Sequence, residues 1–457
     1  MSHSKENEIN NLDQDAVIFF RRPSLFFRHA AIGLCSSKMS SPAKKYLGHL
    51  VYLINFVSLM KYTSLIIVIF PLLFGCSNDK KESTKNTGNE DVVEMWSVKM
   101  ANSVIASHDS LIWYKDRSKP KWTYDLAFLG QAIDKLGCYD STYNKYAKNY
   151  FDYFIQEDGT VNGYKFYDYN LDNINPGKHV ITLFKRTGEE KYRIAIEQFY
   201  KQILEQPKTN TGGFWHKKRY PQQMWLDGIY MASPFIAQYA REFNKPELFN
   251  LVTHQIKLIY EKTHDRETGL LYHAWDESRE QRWSNPETGQ SKHFWSRAIG
   301  WYVMAIVDVL DFLPENHPDR NELVEILNDV CSALLKVQDK ETGLWFQILD
   351  MGGREGNYIE GSGSAMYTYA FAKGAKKGYL PHKYLEVAKE SFDSLIRVLI
   401  VTDEKGKLVL TNVCGGCGLG GNPYREGDYD YYINEKRIDN DQKGVAPFIL
   451  AAIELNK

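Results

Sequence analysis

The chain has 457 residues, 43% of them hydrophobic, and a formal net charge of -1. That balance suits a large globular protein and excludes a disordered or fibrous one. Near-neutral charge without a long basic block also removes the electrostatic case for nucleic-acid binding.

Residues 60-MKYTSLIIVIFPLLFGCSNDKKES-83 hold a Lys, a short apolar run and the ending 73-LFGC-76. The run is short for a membrane span and suits a signal-peptide core. The ending resembles a bacterial lipobox, which makes Cys76 the expected lipidation site and first mature residue. Residues 60–76 are thus expected to be a lipoprotein signal peptide and 77–91 a flexible tether. Residues 1–59 read as an upstream extension whose start codon is not used, with Met60 as the start. The competing membrane anchor over 47–75 is opposed by Lys61 in its middle. The expected location is the bacterial periplasm or cell envelope, with the membrane reached only through the lipid.

From 92 to 457 helical periodicity dominates, and the helices come in two kinds. In 321-NELVEILNDVCSALLKVQD-339 the residues Leu323, Ile326, Leu327, Val330 and Leu334 share one face, with charges opposite. Similar stripes run through 92–107, 142–156, 190–205, 246–263 and 382–400. Segments 123–136, 173–184, 224–240, 301–313, 362–380 and 444–455 are apolar or small nearly all round. A helix apolar on every side is buried on every side. Six of each kind in alternation predict an all-α (α/α)6 barrel in a single catalytic domain, with the one-sided helices outside. Loops 206-QPKTNTGGFWHK-217, 264-HDRETGLLYHAWDE-277 and 338-QDKETGLWFQILD-350 share a polar turn, Thr-Gly and aromatic residues, which places them at one end of the barrel.

The chemistry-bearing residues collect at these loop-to-helix junctions: Asp125, Asp172, His216, Lys217, Trp225, Asp227, His273, Asp276, Trp295, Arg297 and Trp301. Each has a plain alternative. Asp172 and Asp227 precede apolar helical runs and suit helix N-caps. His273 alone suits a hydrogen-bonded structural histidine, Arg297 half of an ion pair, and the tryptophans core packing. Their recurrence at equivalent junctions favours a two-carboxylate sugar site. No metal-ligand spacing or phosphate loop is present, so neither cofactor nor metal is expected. The six cysteines form no staple pattern, and 414-CGGC-417 reads as a glycine-rich turn.

The strings 171-LDNINPGK-178, 224-MWLDGIYMASPFIAQYA-240, 294-FWSRAIGWYVMAIVDVLDFLP-314, 360-EGSGSAMYTYAFAKG-374 and 441-DQKGVAPFILAAIE-454 resemble the unsaturated rhamnogalacturonyl hydrolases of glycoside hydrolase family 105. The likeness covers essentially all of 92–457 and implies the same (α/α)6 barrel. It implies Asp227 as general acid/base and Asp172 as the second acidic residue. It also implies His216, Lys217, Trp225, His273, Trp295, Arg297 and Trp301 as substrate-binding positions. The chain departs from the family in 296-SRAIGW-301 and in its paired cysteines.

The resemblance further implies the reaction. Polysaccharide lyases leave a 4,5-unsaturated uronic acid at the non-reducing end of their products. Asp227 would protonate C4 of that vinyl ether while water adds at C5. The resulting hemiketal opens and expels the remaining chain. Such an acid needs an apolar setting in which it holds a proton. Arg297 or Lys217 is expected to grip the substrate carboxylate, and the tryptophans to stack on the flat ring. Three alternatives remain: family 88 unsaturated glucuronyl hydrolysis, another (α/α)6 enzyme such as a lyase or a sugar epimerase, and a non-catalytic carbohydrate-binding lipoprotein.

Overall fold

The striped segments fold as outer helices and the all-apolar ones as inner helices. A computed structural model describes residues 95–457 apart from Arg117; the expected signal peptide, Cys76 and tether lie outside the described residues. Twelve long helices follow in chain order: α1 Trp96–Ser107, α2 Tyr124–Asp134, α3 Ser141–Phe154, α4 Gly177–Thr187, α5 Glu190–Glu205 and α6 Leu226–Glu242. After them come α7 Leu248–Thr263, α8 Ser296–Val309, α9 Arg320–Lys336, α10 Gly361–Lys376, α11 Lys383–Leu399, the short α12 Tyr429–Asn434 and α13 Gln442–Leu455. Among the described residues no helix is long and apolar enough to cross a membrane.

The even-numbered long helices up to α10, together with α13, form the inner ring. Neighbours α4–α6, α6–α8, α8–α10, α10–α13 and α13–α2 pack directly. Arg186 on α4 reaches Asp134 on α2 with two hydrogen bonds of 3.0 and 3.1 Å across the remaining gap. Each inner helix packs chiefly against one outer helix. On α10 every residue from Gly361 to Gly374 is buried, whereas α9 buries one stripe. Glycines let the inner helices crowd: a Cβ on Gly300 of α8 would sit 2.7 Å from the Met366 sulfur on α10. The first and last helices meet, Ser97 N–H donating to the Lys457 carbonyl at 3.1 Å. All twelve expected segments are present, and the helix expected from residue 301 begins at 296, carrying Arg297 in its first turn.

The expected loop end carries two short strands, β1 Gln223–Trp225 and β2 Ala274–Asp276, paired antiparallel with Trp225 opposite Ala274. A second hairpin joins β3 Ile400–Thr402 to β4 Leu408–Leu410. Single bridges tie Lys208 to Phe214, His264 to Leu271 and Trp295 to Ile348. The loops before α6, α8 and α10 are thereby stitched into one rim.

Candidate active site

Asp227 enters the rim at a point where strand becomes helix. β1 ends at Trp225, the N-cap of α6, and Leu226 N–H donates to the His273 carbonyl at 3.1 Å. Asp227 therefore lies one residue inside the helix. It makes no cap: the helix start carries no side-chain capping bond, and Asp227 Oδ2 has no hydrogen-bond partner. Asp172 is not a cap either. It sits in the single turn Leu171–Asn173, which Asn170 caps, and the N-cap of α4 is Pro176. True acidic caps occur elsewhere, at Asp140, Glu360 and Asp441. The capping alternative fails for both carboxylates on geometry.

The two acids differ in their partners. Asp172, its side chain 17% exposed, is paired with the Lys217 ammonium through Oδ2 and lies 3.3 Å from His216 Nε2 through Oδ1. Burial by itself would raise its pKa, but Lys217 and then His216 outweigh burial and hold the carboxyl below its ordinary value. Asp172 is thus an ionised carboxylate. Asp227, 14% exposed, has one close polar neighbour, His273 Nε2 at 3.4 Å from Oδ2. That contact is at ion-pair range but is not aligned as a hydrogen bond, since both atoms lack a partner by geometry. His273 is held from behind, its Nδ1 2.7 Å from the Tyr432 hydroxyl. His216 is buried, and desolvation pushes its pKa down to about 4, so it is a neutral ring between the two carboxylates. Gly228 permits this spacing: a Cβ there would lie 3.0 Å from His216 Nδ1.

A cleft of about 630 Å³ opens beside Asp172, lined among others by Lys121, Tyr124, Asp172, Lys217, Lys218 and Arg219. Four cations and three carboxylates, Asp125, Asp168 and Asp172, line it, a net excess of one positive charge. Of the expected binding residues, Lys217 lines this cleft. Tyr124, Lys121, Lys218 and Arg219 were not expected there. The run 217-KKR-219 directly after His216 was the available signal for the last two. Asp125 also lines the cleft and pairs with the Thr123 hydroxyl. Asp276 is structural, its carboxylate accepting from Ser278 and Gln281.

The tryptophans require a correction. Trp225, Trp295 and Trp301 are 5%, 1% and 0% exposed, and their ring faces meet protein. Trp225 stacks on His216 at 4.7 Å and on Tyr220 at 4.8 Å. Trp301 stacks on Tyr230 at 4.8 Å and meets Tyr124 edge-on. Trp295 leans on His273 at 4.7 Å. They hold the site's histidines and tyrosines in place and present no open stacking platform. Arg297 also turns inward. It is buried, lies 4.8 Å from the Trp295 ring, and donates through Nη1 to the Cys414 carbonyl at 2.5 Å and to Ser362 Oγ at 3.3 Å. Its observed hydrogen bonds tie α8 to the 411–441 loop, because a buried guanidinium needs acceptors and these are the nearest. Lys217 lines the cleft with its ammonium paired to Asp172.

With Asp172 and Asp227 flanking His216 at the mouth of a twelve-helix barrel, the comparison with known proteins is specific. Residues 96–457 match the family model described as Glycosyl Hydrolase Family 88. The chain belongs to that family of glycosyl hydrolases. A solved family 105 glycoside hydrolase from C. acetobutylicum ATCC 824 is 46% identical, with a TM-score of 0.77, covering 79% of this chain and 99% of that one. Protein Atu3128 of Agrobacterium fabrum is 37% identical over 230 residues, 49% of this chain and 97% of its own length. The unsaturated rhamnogalacturonyl hydrolase YesR of Bacillus subtilis is 27% identical over 292 residues, 62% of this chain and 77% of that protein. The glycosyl hydrolase's barrel is the one expected from helix alternation.

Two outcomes follow for this hydrolase. Trp301→Ala removes a fully buried indole from between Tyr230 and Phe128. It is expected to cost about 3–5 kcal/mol in denaturant unfolding; a loss below about 1 kcal/mol would show that the ring is not a packing element. Lys217→Met removes the main charge depressing the Asp172 pKa. A depressed folded-state value gives stability that is present above the unfolded carboxyl pKa and lost as pH falls through the folded one. Without Lys217 burial is opposed only by the weaker influence of His216 and Arg219, so the acid-unfolding midpoint followed by circular dichroism should move to higher pH. An unmoved or lower midpoint would contradict the pairing.

Proposed function

We propose that the protein removes a 4,5-unsaturated uronic acid from the non-reducing end of lyase-generated oligosaccharides, with rhamnogalacturonan-type products as the favoured substrate. The observation that carries this reading is the division of labour between the acids: Asp172 is ionised and paired, while Asp227 keeps an unpartnered oxygen beside His273. A paired carboxylate orients and stabilises charge; an unpartnered one is available to exchange a proton with substrate. Asp227 donates a proton to C4 and a water adds at C5, its proton passing to Asp227 or Asp172. The hemiketal then collapses and releases the shortened chain. Lys217 and the neighbouring Lys218 and Arg219 draw in the uronate carboxylate. The activity of YesR and the 46% identical family 105 structure support this choice.

The test is incubation of the protein from about Ser77 with unsaturated oligosaccharides from several polysaccharides. Loss of the ultraviolet absorbance of the conjugated double bond is expected, fastest with rhamnogalacturonan products. Unchanged absorbance with every oligosaccharide would refute the reading, and a faster glycosaminoglycan product would move it to glucuronyl substrates. Lipidation at Cys76 and a cell-envelope location belong to the same proposal; a Cys76→Ala protein that stays in the membrane fraction would count against them.

A further inference from the structure

The 414-CGGC-417 segment, a plain turn by sequence, connects to Asp227 through Gln347, Tyr432 and His273. The two sulfurs are 3.4 Å apart. Cys414 is fully buried with its backbone clamped: its N–H donates to Glu360 Oε1 at 3.0 Å and its carbonyl accepts from Arg297. Cys417 is half-buried and follows Gly416, at which a side chain would meet nothing within 4 Å. One member of the pair is buried and clamped, and the other is partly exposed.

Both sulfurs contact a single amide. Gln347 Nε2 approaches Cys414 Sγ at 3.3 Å, Cys417 Sγ at 3.6 Å and the Tyr432 carbonyl at 3.1 Å, while Gln347 Oε1 accepts from Trp295 Nε1 at 3.0 Å. Tyr432 holds His273 at 2.7 Å, Trp295 packs on the same His273 ring, and His273 meets Asp227 at 3.4 Å. The path from sulfur to carboxylate is one amide, one tyrosine and one imidazole, all buried.

From this arrangement we infer that Cys414 and Cys417 form a reversible dithiol–disulfide site that sets the position of His273, and through it Asp227, by way of Gln347 and Tyr432. The influence on turnover rests on the function proposed above; the thiol chemistry does not. Oxidation proceeds by exchange with a low-molecular-weight disulfide. Cys417, the more exposed thiol, loses its proton to solvent and attacks it as a thiolate, a minor species because burial and then Cys414 push its pKa up, releasing one thiol and leaving a mixed disulfide. Cys414 then displaces the second thiol, so two electrons and two protons pass to the reagent. The neighbouring Cys417 thiol, and then Arg297, favour the Cys414 thiolate against burial, which suits the second step. Closure draws Cys417 toward the clamped Cys414 and removes thiol acceptors from Gln347. The amide shifts, and Tyr432 and His273 shift with it.

The full-length protein is treated with glutathione disulfide or with dithiothreitol. Peptide mass mapping is expected to show a Cys414–Cys417 link in the oxidised form, 2 Da lighter by the loss of two hydrogens. kcat should fall about 5–10-fold with KM within about twofold, as for a misplacement of well under an ångström, and recover on reduction. Cys417→Ser should respond to neither reagent. His273 ring-nitrogen resonances, assigned with His273→Gln, should differ between the two forms. Failure to form the link overturns the site. A link that moves neither the His273 resonances nor kcat overturns the coupling. If the reduced protein hydrates no substrate while the link forms and the resonances move, the proposed function fails and this inference stands.

Discussion

Asp227→Asn is expected to lower kcat by about 10³-fold while leaving affinity for an unsaturated oligosaccharide within about threefold. The substitution preserves shape and removes the exchangeable carboxyl proton. It also leaves no orphan, because Oδ2 has no hydrogen-bond partner to lose and His273 stays anchored to Tyr432. Folding stability should accordingly change by less than about 0.5 kcal/mol. A helix cap would behave in the opposite way, losing about 0.5–2 kcal/mol of stability with turnover largely intact. A non-catalytic carbohydrate binder would keep its affinity and show no turnover in either form. Absorbance-based kinetics, a binding isotherm and a denaturant titration on the same pair of proteins separate these three cases.

The second large effect concerns Asp172, whose loss is expected to damage fold and turnover together. Asp172→Asn strands the Lys217 ammonium, whose side chain is only 14% exposed, without its anion. Breaking a largely buried pair from one side costs several kcal/mol, and partial exposure brings the expectation here to about 2–3 kcal/mol. kcat/KM should fall by about 10²-fold, because the second carboxylate is gone and His216 loses the group at 3.3 Å that orients it. The double variant Asp172→Asn with Lys217→Met separates the two roles. It should recover most of the stability, since no charge is left unpaired, and recover none of the activity. Recovery of turnover in the double variant would show that Asp172 serves only as a counterion.

The barrel was readable because the burial of a helix is written locally. A segment such as 362-SGSAMYTYAFAKGAKKGYL-380 has no polar face to turn outward, and 321–339 has one, so the alternation of layers follows from windows of fewer than 20 residues. The recurrence of Asp, His and Trp at the junctions was readable for the same reason, since each junction is a short string. Which faces those side chains show was not. A tryptophan string is the same whether the ring faces a sugar or Tyr230, and Trp301 is closed off by residues from α2 and α6.

The electrostatic roles were settled at longer range still. The partners of Arg297 and His273 lie 117 and 159 residues away, at Cys414 and Tyr432. By itself the sequence determined the two-ring architecture and the set of reactive residues, because amphipathic periodicity and residue chemistry are properties of neighbours along the chain. Only the tertiary structure decided that Asp172 is paired and Asp227 is not, that Arg297 and the tryptophans face inward, and that the cysteine pair connects to His273 through Gln347 and Tyr432. Those facts depend on contacts closed between loops distant in sequence, where desolvation and partner geometry, not residue type, select what each group can do.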